Sequence, residues 1–191
     1  MKIAINDRSK IVLKFLGILF VIGIITGIIL YLKEDNDTKI IINNELNNLI
    51  ANIKNSNQNN FIMHIITFSI LFLLSFTVLG LPIVLFYFYY EGTSIGFLII
   101  SLIKYSGTNG LLFSLILLLI TKLIYILVLL YFTFYSIMYT KKIIHNIKSD
   151  KTVIIHNHLI KIIIVIGVIL LNDIFLYFLG NKIVGLFLFL V

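Results

Sequence analysis

Long apolar runs are the feature that most constrains how this chain can fold. They cover residues 15–32, 61–104, 111–139 and 159–180, and the whole chain is 60% hydrophobic with a mean hydropathy of +1.11. About 20 consecutive apolar residues are enough for a helix to cross a bilayer, whereas no soluble core needs so much apolar surface. The sequence therefore predicts an all-α, polytopic helical membrane protein with a single membrane domain over residues 1–191.

The number of crossings follows from the lengths of these runs. The first and last runs each suit one span, the second suits two, and the third is long for one span and must tilt. About five transmembrane helices result, with a broken or kinked pair around residues 80–96. Pro82 produces either a kink or a break between two spans, and the turn lies either at residues 80–82 or at residues 91–92.

The distribution of charge predicts the orientation in the membrane. The chain has 15 basic residues against 8 acids, for a net charge of +7. Basic residues precede the first apolar run and dominate the loop 141–158, whereas the polar segment 33–60 is richer in acids and asparagine. By the positive-inside rule, the N-terminus and the loop 141–158 are cytoplasmic and the segment 33–60 is extracytoplasmic. The basic residues therefore indicate a lipid bilayer as partner and no nucleic acid.

The extracytoplasmic segment is expected to contain a short amphipathic helix. Asp37 or Thr38 is its expected N-cap. This helix would present an apolar face suited either to docking a protein partner or to lying on the membrane surface. The side chains of that face are Ile42, Leu46, Leu49, Ile50 and Ile53.

Three charged residues fall inside the apolar runs, namely Glu91, Lys122 and Asp173. A charge at the bilayer centre costs roughly 2.5–3.5 kcal/mol on insertion scales, so such residues face protein or water, or pair with one another. Glu91 is expected either at the membrane surface or in a buried pair. Lys122 can pair with Glu91 or with Asp173, and such a pair would fix the helix register. A proton or ion relay would use the same residue types.

Two GxxxG patterns predict close contact between helices. Gly23 with Gly27 and Gly92 with Gly96 each leave a helix face without side chains, which lets two backbones approach. That contact lies either within the bundle or between two copies in a homo-oligomer.

No catalytic constellation is visible in the sequence. Cysteine is absent, and His156 and His158 have neither the spacing nor the acidic neighbours of a metal site. A Ser/His/Asp set and a phosphate-binding loop are also missing from the sequence. The sequence therefore predicts a protein that is not an enzyme and takes no cofactor or metal.

A spaced series of glycines runs through residues 79–130. Gly-x-Pro is followed by an apolar run, a charged residue and a glycine, a second glycine with a phenylalanine, and a glycine-rich turn before Leu-Leu-Phe. The residues in this series are Gly80, Pro82, Glu91, Gly92, Gly96, Phe97, Gly107, Gly110, Leu111, Leu112 and Phe113. The pattern resembles the core of the stage II sporulation protein M family. The chain departs from that family at residues 120–122, where Pro-Gln-Asn is common, and at Leu127, where a proline is frequent.

The resemblance implies a non-enzymatic scaffold in the bacterial cytoplasmic membrane. Members of that family associate with two peptidoglycan hydrolases, a lytic transglycosylase and an amidase, and localise them at the septum during forespore engulfment. The alternative function is a membrane-spanning transporter subunit, a small permease component that works with an ATP-binding partner. In that alternative Glu91, Lys122 and Asp173 would line a pathway.

Overall fold

The structure is a computed structural model that describes residues 7–54, 61–145 and 151–190. Within these residues the chain is helical and contains no strand. The helices are α1 (Asp7–Lys33), α2 (Asn36–Lys54), α3 (Phe61–Ser75), α4 (Gly80–Thr121), α5 (Leu123–His145) and α6 (Lys151–Phe175). A π-helical turn (Leu176–Gly180), the short helix α7 (Asn181–Gly185) and a 3-10 turn (Leu188–Leu190) follow.

Four stretches in these ranges are long and apolar enough to cross a membrane. They are Ser9–Lys33, Gly80–Thr121, Leu123–Lys141 and Leu159–Gly185. The apolar part of α3 is shorter and covers Ile66–Ser75. These lengths confirm the predicted fold class of a multi-pass helical membrane protein.

α4 changes direction at Gly107. The φ of this residue is 64° and its ψ is −135°, a conformation essentially restricted to glycine. A Cβ on Gly110 would overlap the carbonyl oxygen of Leu102, whereas residues eight apart in a straight helix lie about 12 Å apart along its axis. The chain therefore reverses at Gly107, and residues 80–106 run antiparallel to residues 108–121 and α5.

Ring contacts give the directions of two more helices. The ring centroids of Phe20 and Phe88 are 5.3 Å apart, and those of Tyr31 and Phe97 are 5.5 Å apart. α1 therefore runs parallel to the first half of α4. Phe68 in α3 contacts both Tyr125 and Phe132, and the residue after the end of that helix, Phe76, contacts Tyr139 farther along α5. α3 therefore runs parallel to α5.

α6 runs back along α3. His64, near the start of α3, bonds to Asp173 near the end of α6, and Phe68 packs in one core cluster with Ile169. Five helical segments thus lie side by side, because the fold-back at Gly107 divides α4 and its second arm continues into α5. These segments are α1, α3, residues 80–106, residues 108–145 and α6. The predicted number of about five spans counts α3 and both arms of α4, whereas length and composition alone select four helices.

The break near Pro82 lies between two helices. α3 ends at Ser75 and α4 begins at Gly80, whose amide donates to the Thr77 hydroxyl at 2.9 Å. Pro82 therefore stands in the first turn of α4, where a missing N–H removes no helical bond. Of the two turn positions that the sequence allowed, the structure has the one next to residues 80–82, whereas residues 91–92 lie inside α4.

Helix extends into the segment predicted as the basic loop 141–158. α5 continues to His145 and α6 begins at Lys151. Residues 146–150 lie outside the described part of the chain, as do residues 55–60 of the polar segment and residues 1–6.

Asp35 is the cap at the start of α2. The Thr38 amide donates to its Oδ1 at 2.8 Å, so the expected cap at Asp37 or Thr38 is wrong by two or three residues. Asp37 lies within the helix instead, in its first turn. The Thr38 hydrogen bond lowers the pKa of the exposed Asp35 carboxyl.

Candidate functional site: an intramembrane polar cluster

The two GxxxG patterns pack against each other between α1 and α4. A Cβ on Gly23 would lie 2.6 Å from the Tyr89 carbonyl oxygen, and one on Gly92 would lie 2.8 Å from the Phe20 carbonyl oxygen. At Gly27 a Cβ would overlap the carbonyl oxygen of Thr93. Both glycine faces are therefore occupied within one chain, and they do not supply the face for a homo-oligomer.

This close contact places the middle of α4 deep in the bundle. The α1 backbone lies against Gly92 and Gly96, and Glu91 on the neighbouring position of α4 is only 7% exposed. Phe97 follows on the same helix and stacks edge-on against Tyr31 of α1. The glycine packing is what fixes the depth and rotation of the Glu91 carboxylate.

Glu91 accepts hydrogen bonds from two tyrosines. The Tyr87 hydroxyl donates to Glu91 Oε1 at 2.8 Å, and the Tyr125 hydroxyl lies 3.5 Å from the same oxygen. The two hydroxyls are 2.5 Å apart. Glu91 is therefore buried inside the bundle, as the second of its two expected positions requires, and the polar network takes the place of water around it.

Lys122 supplies the positive charge for Glu91. Its Nζ lies 3.6 Å from Glu91 Oε2 and 5.1 Å from the centre of the Tyr125 ring. The fold-back at Gly107 brings these two residues together. The Lys122 side chain is 30% exposed, against 9% for the Glu91 side chain, so Lys122 is the more exposed member of the pair.

Asp173 pairs with a residue that the sequence analysis did not select. His64 Nδ1 lies 2.9 Å from Asp173 Oδ1, and their side chains are 16% and 4% exposed. Of the two acids that Lys122 could have joined, it is paired with Glu91, and Asp173 lies apart in this second pair. The contact between His64 and Asp173 links α3 to α6.

The ring of Tyr125 joins the two pairs. The His64 ring stacks on it with centroids 4.8 Å apart, while its hydroxyl reaches Tyr87 and Glu91. The polar cluster is defined by these side chains together and spans four helices. Its members are His64, Tyr87, Glu91, Lys122, Tyr125 and Asp173.

Some buried atoms of this region have no hydrogen-bond partner among the described residues. They are Glu91 Oε2, Asp173 Oδ2, and both Oδ1 and Nδ2 of Asn172. Lys122 compensates the charge on Glu91 Oε2. The atoms of Asn172 and Asp173 have no such compensation, although most buried polar atoms in proteins are hydrogen-bonded.

The apolar face of α2 packs on the protein itself. Leu46 is 5% exposed in a cluster with Leu102, Phe113 and Val184, which come from both arms of α4 and from α7. Ile42 and Leu49 border this cluster and Ile50 is half-buried, while the side chain of Ile53 lies outside the described part. The chain itself therefore covers Leu46 and part of this face, whereas docking of a partner on the face stays a prediction.

Sequence reasoning missed His64, Tyr87 and Tyr125 as members of the polar cluster. Tyr87 lies one helical turn before Glu91, a spacing that places both side chains on one face and that could have identified it. Nothing local identifies His64 or Tyr125, because their partners belong to other helices. His156 and His158 lie where no side chain is described.

The described residues contain no group of three or more His, Cys, Asp or Glu side chains that could hold a metal ion. Comparison of the chain with protein-family models, curated proteins and solved structures finds no match. The resemblance to the sporulation family stays a prediction that rests on its motif residues.

Proposed function

We propose that this chain is a non-enzymatic membrane scaffold that recruits and localises peptidoglycan hydrolases at the septum during forespore engulfment. Its partners would be a lytic transglycosylase and an amidase, as the family resemblance implies. The proposal includes a bacterial cytoplasmic membrane location with the N-terminus in the cytoplasm.

The observation that carries the proposal is the position of the motif glycines. Gly92 and Gly96 let α4 pack closely on α1, and the chain reverses at Gly107. Gly80 and Gly110 lie against backbone carbonyl groups. Motif glycines that serve packing or turns are what a scaffold needs, since a scaffold presents a surface and carries out no reaction.

The orientation is supported by the charges at the two ends of the bundle. Lys10 and Lys14 begin α1, and the parallel and antiparallel packing puts them at the same end as Lys141 and Lys161. α2 lies at the other end, where Asn47 accepts a 2.6 Å hydrogen bond from Tyr105. A basic end and a less basic end fit an N-terminus in the cytoplasm.

A peptidoglycan hydrolase would then bind the exposed side of α2, which faces away from the bundle. Ile40 and Ile41 are 59% and 62% exposed there, and Asn44 and Glu45 are also exposed. This side replaces the covered apolar face as the proposed contact surface.

Crosslinking in the native host tests the proposal. The tagged protein is purified in mild detergent after treatment with an amine-reactive crosslinker, and the crosslinked peptides are identified by mass spectrometry. We expect hydrolase peptides joined to Lys39, at the α2 end. Hydrolases joined to Lys141 instead, or absent from the purified complex, would contradict the proposal. A variant with Ile41→Asp should lose the crosslink, while a matched change at the other end, Ile11→Asp, should keep it.

A second candidate function is a transporter subunit with an ATP-binding partner. The buried Glu91 and Asp173 and the half-buried Lys122 favour it, because ionisable groups inside membrane spans often mark transport pathways. Recovery of a nucleotide-binding subunit joined to Lys141, together with solute flux that Glu91→Gln abolishes in vesicles, would favour this candidate over the scaffold.

A further inference from the structure

The pair of Asp173 and His64 has no part in the scaffold described above. It lies between α3 and α6, with Asp173 Oδ1 2.9 Å from His64 Nδ1. We propose that this pair is a buried proton-binding site, with a single proton as its ligand.

The contrast with Glu91 is the first reason. Glu91 has the ammonium group of Lys122 3.6 Å away, and this group compensates the charge of the carboxylate. Asp173 has only an imidazole, whose charge depends on whether it holds a proton. The charge of the second pair therefore changes with one proton, while the first pair stays compensated.

The free polar atoms are the second reason. Asp173 Oδ2 and both polar atoms of the adjacent Asn172 have no partner among the described residues, although the two residues are only 7% and 5% exposed. Most buried polar side-chain atoms have at least one hydrogen-bond partner, so each unpartnered atom calls for an explanation. A carboxylate oxygen that keeps a free lone pair is an acceptor for an incoming proton.

The other ionisable groups near this pair belong to the Glu91 network and form no ion pair with Asp173. Tyr125 of α5 stacks on the His64 ring, and its hydroxyl contacts the Tyr87 hydroxyl of α4. Glu91 of α4 pairs with Lys122, which lies between α4 and α5. Lys122 is paired with Glu91 and does not reach Asp173. A small cavity of about 20 Å³ beside His64, lined also by Phe68, Ser69, Ile166, Ile169 and Leu170, has room for one water.

The step involves a proton alone. Uptake forms one O–H bond at Asp173, raises the charge of the pair by one, and breaks no bond to carbon. Release reverses it and returns the proton to water. No oxidant, reductant or second substrate takes part.

Infrared difference spectroscopy during a pH change tests the site in the full-length protein. The protein is placed in lipid nanodiscs, and the carbonyl stretch of protonated carboxylic acids is followed. We expect a pH-dependent carboxylic acid band in the wild type that Asp173→Asn removes and that the matched variant Glu91→Gln keeps. Superimposable difference spectra of the wild type and Asp173→Asn would overturn the proposal, because Asp173 would then hold one protonation state throughout.

A second variant covers the case in which Asp173→Asn does not fold. Asp173→Glu retains an acid at the position and should shift the band in frequency or in its pH midpoint. An unchanged band in this variant would contradict the site. His64→Gln retains a hydrogen-bonding group without a titratable ring, and it should move the pH midpoint of the Asp173 band. The readout is protonation itself, so it is independent of whether hydrolases bind the chain.

Discussion

Gly96 lies directly against the backbone of Ile24, where a Cβ would sit 2.8 Å from the Ile24 carbonyl carbon. The neighbouring atoms are backbone, so they cannot move aside as a flexible side chain would. This contact joins α1 to α4 and sets the position of Glu91 inside the bundle.

Gly96→Ala should therefore destabilise the protein. The added methyl group forces α1 and α4 apart, and overpacking of this kind costs about 1–3 kcal/mol. The measurement is the free energy of unfolding in mixed detergent micelles. Gly17→Ala is the matched control on α1, because no atom lies within 4 Å of its added Cβ. Equal stability of the two variants would contradict the contact.

Gly107→Ala should weaken the fold-back of α4. The added methyl group meets nothing within 4 Å, so the cost comes from the backbone conformation at φ 64°. Conformations restricted to glycine cost other residues about 1–3 kcal/mol. The thermal midpoint should fall for this variant but not for Gly185→Ala, whose Cβ also meets nothing. A midpoint unchanged from the wild type would mean that residue 107 does not adopt this conformation.

Lys122→Met should destabilise the bundle because it leaves Glu91 buried without its cation. Loss of one partner of a buried pair costs about 3–5 kcal/mol. Since the Lys122 side chain is 30% exposed, we expect the lower part of that range or less. Adding Glu91→Gln should recover part of the loss, as a double-mutant cycle of unfolding free energies would measure. Strictly additive losses would show that the two residues do not interact.

Leu46→Ala should release α2 from the end of the bundle. Leu46 is 5% exposed, and truncation of a buried leucine costs about 2–5 kcal/mol. Hydrogen exchange of the α2 amides should become faster, while exchange in α4 stays unchanged. Ile41→Ala, at a side chain 62% exposed, is the control and should leave exchange in α2 as it is. Slow α2 exchange in Leu46→Ala would refute the packing described for this helix.

The start of α2 should lose protection in acid. The Thr38 hydrogen bond holds the pKa of Asp35 below its usual 3.8, so the carboxylate is stabilised in the folded state. Its contribution is complete above this ordinary value, which applies to the unfolded chain, and disappears as pH falls through the lower folded pKa. Exchange at the Thr38 amide, corrected for its intrinsic rate, should accelerate below about pH 4. Asp35→Asn should keep the cap and remove the pH dependence, whereas Asp37→Asn should retain it.

The sequence by itself determined the class of the protein and much of its layout. Apolar runs of about 20 residues permit few alternatives to membrane helices, because only helices and closed barrels satisfy every backbone polar group in lipid. The glycine-rich turn near Gly107 was also predictable, and the turn before α4 was narrowed to residues 80–82 or 91–92, since glycine and proline act on the backbone locally. The same holds for the buried glycine faces of α1 and α4.

Only the tertiary structure decided which groups meet. The partner of Lys122, the pairing of Asp173 with His64 and the burial of Leu46 all depend on the relative rotation of helices that are distant in the sequence. That rotation is set by the glycine contacts between α1 and α4 and by the reversal at Gly107. A helical period tells which side chains share a face, but it does not tell which other helix that face will contact. The physical reason is that pairing energies arise from three-dimensional packing and are absent from any single helix.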